Sequence, residues 1–415
     1  MRISFIHIIL TGLSTALGIQ QLHASTPGAC TPEQTITFEM YLTRVKKHNL
    51  EFLADSVNVD IAKAEILAAK VLPDPSFDFE GSKDTYSLGI SYTLELGKRH
   101  ARVELARSQF EFEQTATANS FQQLRAEAAD QFLEAILQRE LLRAKRESCA
   151  YMIQLSKSDS LRHLAGEITE IEYRQSRLES MSLLNDVYDQ EAAYFSSLAD
   201  LNMLMGVTSD TLNVPAGDWE NLERNFSLDR LLATGMKENL QIAEARKNID
   251  VTTRALKLVR TEQRPDIDLS LSYERDWNSF RPQMQYAKVG VSIPLPFSSI
   301  NKGAVRSAKY RIEQASIQEE EVCLRVRKDI TQAWYAFEAE KKKVSQYRSG
   351  VLEDARKVLE GTVYMYKRGE SGILDVLIAQ RSYNQVQQDY LETMKSYASS
   401  LIALEKSCGM WDIWF

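Results

Sequence analysis

The side chains able to do chemistry are few, and two acids head them. Glu172 stands six residues past Gly166 of a Gly166-Glu167 pair, and Asp375 six residues past Gly369 of a Gly369-Glu370 pair. A carboxylate just after a turn, at the start of a helix, sits near the favourable end of the helix dipole, which by itself makes it a solvated helix-start residue. Other reactive types form no constellation. Once a secretory leader is set aside, the remaining histidines are His48, His100 and His163, at no ligand spacing to Cys, Asp or Glu. No bound metal is therefore expected. The sequence has neither a Gly-x-Ser-x-Gly elbow nor a phosphate-cradling glycine loop, so no enzyme, nucleotide site or other cofactor is read from it. With 57 acidic against 50 basic residues it has no basic footprint for nucleic acid.

The elements that position these acids are set by where glycine and proline are missing. None of the nine prolines lies between residues 76 and 214 or between 297 and 415, and residues 98–165 and 304–349 contain neither Gly nor Pro. Long helices follow, because a helix interior excludes those two residues most strongly. Continuous helix over residues 98–165 would reach roughly 100 Å at about 1.5 Å per residue. No segment after the first 24 residues is apolar enough for a transmembrane helix.

Those first residues read as an export signal: Arg2, an apolar run from Ile3 to Ile19, then Leu22-His23-Ala24 before cleavage near Ser25. A competing reading makes Cys30, after Pro27-Gly28-Ala29, a lipidated cysteine. Cys149, Cys323 and Cys408 fall in expected helices and make no disulfide framework in a chain this large.

The chain repeats itself at an offset of about 190 to 203 residues. Asn49-Leu50 recurs as Asn239-Leu240, Leu72-Pro73-Asp74 as Arg264-Pro265-Asp266, Gly166-Glu167 as Gly369-Glu370, and Gly206 as Gly409. This divides the chain into a signal peptide (1–24), a first repeat (25–206), a linker (207–225), a second repeat (226–409) and a tail (410–415). Each repeat reads as a helix of about 25 residues ending at the Pro-Asp pair, two strands, a very long helix, a Gly-Glu turn and a returning helix. The second returning helix carries Val376, Ala379, Tyr383, Val386, Tyr390, Met394, Tyr397, Leu401, Leu404 and Cys408 at the spacing of a coiled-coil seam, which the core of an ordinary helical hairpin fits equally well.

The strands, at about 76–82, 86–96, 267–275 and 286–296, show strict period two. Tyr86, Leu88, Ile90, Tyr92 and Leu94 alternate with Ser87, Gly89, Ser91 and Thr93; Ile267, Leu269, Leu271 and Tyr273 alternate with Asp268, Ser270, Ser272 and Glu274. An outer-membrane barrel wall, with lipid on one face and water on the other, fits this pattern, and so do soluble hairpins packed on the helices. In the first case the water-facing charges are Asp78, Glu80, Glu95, Asp268 and Glu274 against Lys288. Four strands are too few to close a lipid-spanning sheet, so closure would need several chains.

The duplication, the paired strands entered through a Pro-Asp, and the run Tyr366-Lys367-Arg368-Gly369-Glu370-Ser371-Gly372-Ile373-Leu374-Asp375 together resemble the TolC family of outer-membrane efflux proteins. The resemblance implies a mainly α fold with a small β part, in which three copies build a twelve-stranded barrel on a periplasmic helical barrel. It implies a passive channel in the outer membrane of a Gram-negative bacterium, surrounded by its lipid and joined by a periplasmic adaptor to a proton-driven inner-membrane pump. Glu95-Leu96-Gly97-Lys98-Arg99 and Pro294-Leu295-Pro296-Phe297 lean toward the branch that exports heavy metals and other cations. By the same resemblance Asp375 lines the pore constriction as an acidic ring, Glu172 is its first-repeat counterpart, and Tyr366 helps hold the constriction shut. Gly166, Glu167, Arg368, Gly369 and Gly372 become the adaptor-docking turns. The chain departs from the family at Ser371, where an arginine lock partner can stand, and at Ile378, where a second acidic ring can stand. A duct for proteins, peptides or drugs, and a secreted coiled-coil scaffold, are the competing functions.

Overall fold

A computed structural model describes residues 34–208, 213–217, 224–276, 285–294 and 301–413. The export signal, Cys30 and the Leu295-Pro296-Phe297 end of the fourth strand motif lie outside the described residues. The first half runs β1 (Gln34–Thr37), α1 (Phe38–His48), α2 (Leu50–Ala69), β2 (Ser76–Gly81), β3 (Thr85–Leu94), α3 (Lys98–Leu164) and α4 (Glu170–Leu204). After β4 (Asn213–Ala216) the order returns as α5 (Leu228–Glu238), α6 (Leu240–Glu262), β5 (Ile267–Asp276), β6 (Gln285–Ser292), α7 (Asn301–Gln346), α8 (Leu352–Lys367) and α9 (Ile373–Cys408).

Three features differ from the sequence reading. The single helix expected before each Pro-Asp pair is two helices, broken at Asn49 and at Asn239, both in extended backbone. Each asparagine caps the following helix: Asn49 Oδ1 accepts from the Phe52 N–H at 2.9 Å and Asn239 Oδ1 from that of Gln241 at 2.8 Å. Each amide then donates to the end of a returning helix, Asn49 to the Leu204 carbonyl at 3.2 Å and Asn239 to that of Ser407 at 2.8 Å. Second, the linker holds β4, which pairs in parallel with β1. Third, the long helix of the second half is interrupted by a wider turn at Tyr347–Val351, where Gly350 takes φ 127°.

The repeat is exact enough to duplicate a close approach. Gly206 and Gly409 end α4 and α9 in left-handed backbone, with φ of 64° and 73°. A Cβ on Gly206 would collide with the His48 carbonyl oxygen, and one on Gly409 would lie 2.8 Å from that of Glu238. Glycine is what both positions allow.

The 67 residues of α3 form one helix of about 100 Å. Phe132, Leu133 and Ile136 of α3 share the largest core with Ile330 and Phe337 of α7 and with Tyr397 and Leu401 of α9. The buried face of α9 carries Val376, Ala379, Met394, Tyr397, Leu401, Leu404 and Cys408 of the expected line, while Tyr383, Val386 and Tyr390 are half-buried.

The four predicted strands form one antiparallel sheet in the order β2-β3-β5-β6. Its register sets Asp78 beside Gly89, Ser272 and Lys288, and sets Phe79 beside Leu88 and Tyr273. All polar alternates therefore share one face and the apolar alternates the other. The apolar face is not packed on helices: Phe77 is 70% and Val289 80% exposed, and Phe79, Ile90, Leu271 and Val291 are also exposed. Leaving so many large apolar side chains in water forfeits on the order of 10 kcal/mol. Soluble hairpins folded onto the helices are thereby excluded as an account of these strands.

Candidate functional site

The two Gly-Glu turns close the hairpins α3–α4 and α8–α9 in the same way. Gly166 (φ 77°) and Gly369 (φ 76°) end the incoming helices, and the next N–H reaches back to the fifth carbonyl before it, Glu167 to Arg162 and Glu370 to Met365, each at 2.9 Å. At one turn the Arg368 guanidinium lies 2.9 Å from Glu370 and donates to the Tyr364 hydroxyl at 3.1 Å. At the other, Arg162 lies 3.2 Å from Glu167.

Behind the turns Tyr366 of α8 is 2% exposed, packed with Met152 and Leu155 of α3 and Ile373, Val376 and Leu377 of α9. Its hydroxyl donates to Asp159 Oδ1 at 2.9 Å. Asp159 is fully buried, at 0% exposure. Burial pushes its carboxyl above the usual range, against hydrogen bonds from Tyr366 and Ser176 and the charge of Arg162, with Glu172 adding to the rise. Burial, then the Asp159 bond, push the Tyr366 hydroxyl up as well. The Arg162 guanidinium lies 5.0 Å from the centre of the Tyr366 ring and 4.0 Å from Asp159. Asp159 and Arg162 were not singled out from the sequence. The available signal was an acid on the apolar line Met152, Leu155, Asp159 of α3, where a carboxylate needs a partner.

The two acids that follow the turns are used differently. Glu172 accepts from the Thr169 N–H and hydroxyl, both at 2.9 Å, while Thr169 Oγ1 accepts from the Glu172 N–H at 3.2 Å. This reciprocal cap holds the Glu172 carboxyl below the usual range. Asp375 is exposed at the start of α9, and its carboxylate accepts from the Gly372 N–H at 3.2 Å. Leu374 and Ile378 flank it, both exposed, while Ser371 is half-buried and its hydroxyl has no hydrogen-bond partner among the described residues. Farther along the tips, Arg381 of α9 clamps Glu179 of α4 through two bonds of 3.0 and 2.6 Å.

On the sheet, Asp78 accepts from Ser91 at 2.8 Å and Asp268 from Thr93 at 2.6 Å. Glu274 accepts from the Tyr286 hydroxyl at 2.7 Å and is ion-paired with Lys288; Glu80 is exposed. Glu95 departs from its expected place as a strand residue. It lies one residue past β3, and Arg102 at the start of α3 takes its carboxylate through bonds of 2.6 and 2.8 Å. Among the described residues no group of three or more His, Cys, Asp or Glu could hold a metal ion.

A sheet with opposite faces polar and apolar, set on long helical hairpins, is the architecture of a membrane duct, and residues 232–410 match the family described as "Outer membrane efflux protein". Over those residues the chain is similar to that family. Channels of this family are passive, reside in the outer membrane of Gram-negative bacteria and work with adaptor and pump partners. The chain is 24% identical over 382 residues to the cobalt-zinc-cadmium resistance protein CzcC of Cupriavidus metallidurans, covering 90% of each chain. Its fold is similar to the crystal structure of CusC, with TM-score 0.73, 16% identity and coverage of 90% of this chain and 92% of that one. The open state of the Neisseria gonorrhoeae MtrE outer membrane channel is similar to the same degree, with TM-score 0.73, 17% identity and coverage of 90% and 89%.

Proposed function

We propose that three copies of this chain form a passive outer-membrane duct that carries divalent metal cations from a proton-driven inner-membrane pump and its periplasmic adaptor to the outside. The observation that carries this is the four-stranded sheet. Its apolar face is exposed, and β2 and β6 each pair on one side only among the described strands. Edges inside hydrocarbon must be satisfied, and pairing β2 of one copy with β6 of the next closes twelve strands.

Substrate moves down its gradient through water, so the chain's work is to fit, attract and close. In this reading the three Asp375 carboxylates ring the narrowest part of the water path, favouring cations and resisting anions. Tyr366 holds the constriction shut through Asp159, and the turns at Gly166-Glu167 and Arg368-Gly369 with Gly372 meet the adaptor. The name of the Cupriavidus relative supports metal cations as the cargo.

Planar bilayers test the reading. The purified protein should give discrete conductance steps whose reversal potential in a salt gradient reports cation preference. Anion preference, or no steps from protein recovered in outer membranes, would remove the cation duct.

A further inference from the structure

We infer that the groove between the end of α6 and the start of α7 binds the phosphodiester headgroup of an anionic phospholipid in the periplasmic leaflet of the outer membrane. Arg260, Lys302, Arg306 and Lys309 line this groove of about 770 Å³ beside Tyr310 and Val305, with no carboxylate in its lining. Arg306 Nε donates to the Tyr310 hydroxyl at 3.1 Å, and among the described residues the other three cations have no ion pair. The sequence explains why. After Asp276 the next acid is Glu313, while Arg281, Lys288, Lys302, Arg306, Lys309 and Arg311 fall in between. Four like charges converging without a counter-charge repel one another, and a bound anion relieves that repulsion.

The other half of the chain serves as an internal control. Lys98 and Arg102 stand 204 residues before Lys302 and Arg306, at the same start of a long helix. There the charges are neutralised within the chain: Lys98 lies 2.6 Å from Asp266, and Arg102 is held twice by Glu95. Lower on α6, Lys257 meets Glu104 of α3 at 2.5 Å and Arg246 meets Glu319 of α7 at 3.2 Å. Pairing lapses at the top of the α6–α7 groove.

The level of the groove identifies the anion. Arg260 lies seven residues before β5, and Lys302 ten residues after the end of β6. From Lys302 to Lys309 the helix spans about 10 Å, comparable to a headgroup layer of roughly 5–8 Å plus its surface. Tyr310, 55% exposed, supplies the amphipathic ring that favours a membrane interface. A phospholipid can put its phosphate among the cations while its chains stay in the hydrocarbon, which free phosphate cannot. The inference rests on the outer-membrane placement of that sheet.

The test uses full-length protein extracted from outer membranes and exposed to mixed micelles of phosphatidylglycerol or phosphatidylethanolamine, with retained lipid counted by native mass spectrometry. Wild type and Arg306→Lys should retain phosphatidylglycerol about tenfold over phosphatidylethanolamine. Lys302→Gln/Arg306→Gln/Lys309→Gln should lose at least that preference, each lost charge being worth about fivefold. The distant Arg143→Gln should behave as wild type. Should the triple variant fail to fold, Arg306→Gln alone carries the test with a loss of about fivefold. Equal phosphatidylglycerol on wild type and variant overturns the site, and displacement by millimolar inorganic phosphate overturns the lipid in favour of a free anion. Absence of the wild-type protein from outer membranes on fractionation, before any lipid is added, would instead strike the placement on which the inference rests.

Discussion

The Tyr366 hydroxyl donates to Asp159 Oδ1 at 2.9 Å, tying α8 to α3 inside the buried core of the hairpin tips. Removing one partner of such a bond leaves the other desolvated and costs about 1–3 kcal/mol. If this bond holds the tips closed, Tyr366→Phe should raise the open probability of the channel roughly tenfold in planar bilayers. An unchanged open probability would show the bond to be ordinary packing.

The same pair predicts a pH response. Burial raises the Asp159 carboxyl, so the buried arrangement holds its proton more tightly than an opened one in which the carboxylate is hydrated. Below the ordinary carboxyl value of about 3.9 both arrangements are protonated and pH has no leverage. As pH rises through the raised value the closed arrangement loses stability relative to the open one. Opening recorded in bilayers from acid to neutral pH should therefore increase, and Asp159→Asn should flatten the dependence.

Asp375 and Glu172 should separate cleanly. If Asp375 rings the constriction as proposed, Asp375→Asn is expected to weaken cation preference and raise conductance. Glu172→Gln is expected to leave both unchanged while destabilising the start of α4 by about 1 kcal/mol through the weakened cap. Reversal potentials and thermal unfolding of the two variants check this pair, and equal selectivity losses would contradict it.

The contrast between those acids also shows what the sequence could and could not reveal. Period two in the strands was legible because each side chain commits to one face of a pleated sheet, and Gly-Glu at both tips was legible because a left-handed turn demands glycine. Asp159 and Arg162 stayed hidden, since their role comes from a partner 207 and 204 residues away and no local motif marks it. Glu95 misled because its alternation continues past the strand, and only the fold brings Arg102 to it. The breaks at Asn49 and Asn239 were not legible because a single asparagine within a helical pattern looks like a tolerated helix residue until its amide finds another helix.

A second titration lies far from the tips. Burial first, and then Asp412, push the Glu405 carboxyl up to about 8, and its Oε2 accepts from the Asp412 N–H at 2.9 Å. An acid raised in the folded state costs nothing while it is protonated in both states; the penalty grows as pH climbs from its ordinary value of about 4.3. Thermal stability should fall between that pH and about 8, and Glu405→Gln, which keeps an acceptor for Asp412, should remove most of the fall. Parallel melting curves of wild type and variant across this range would check it.

The central claim is that sheets from three chains close around a water path through the outer membrane. Its most direct test is the mass of the cross-linked protein extracted from isolated outer membranes. The account predicts a single species of three chains in that fraction. A freely soluble periplasmic monomer would contradict it.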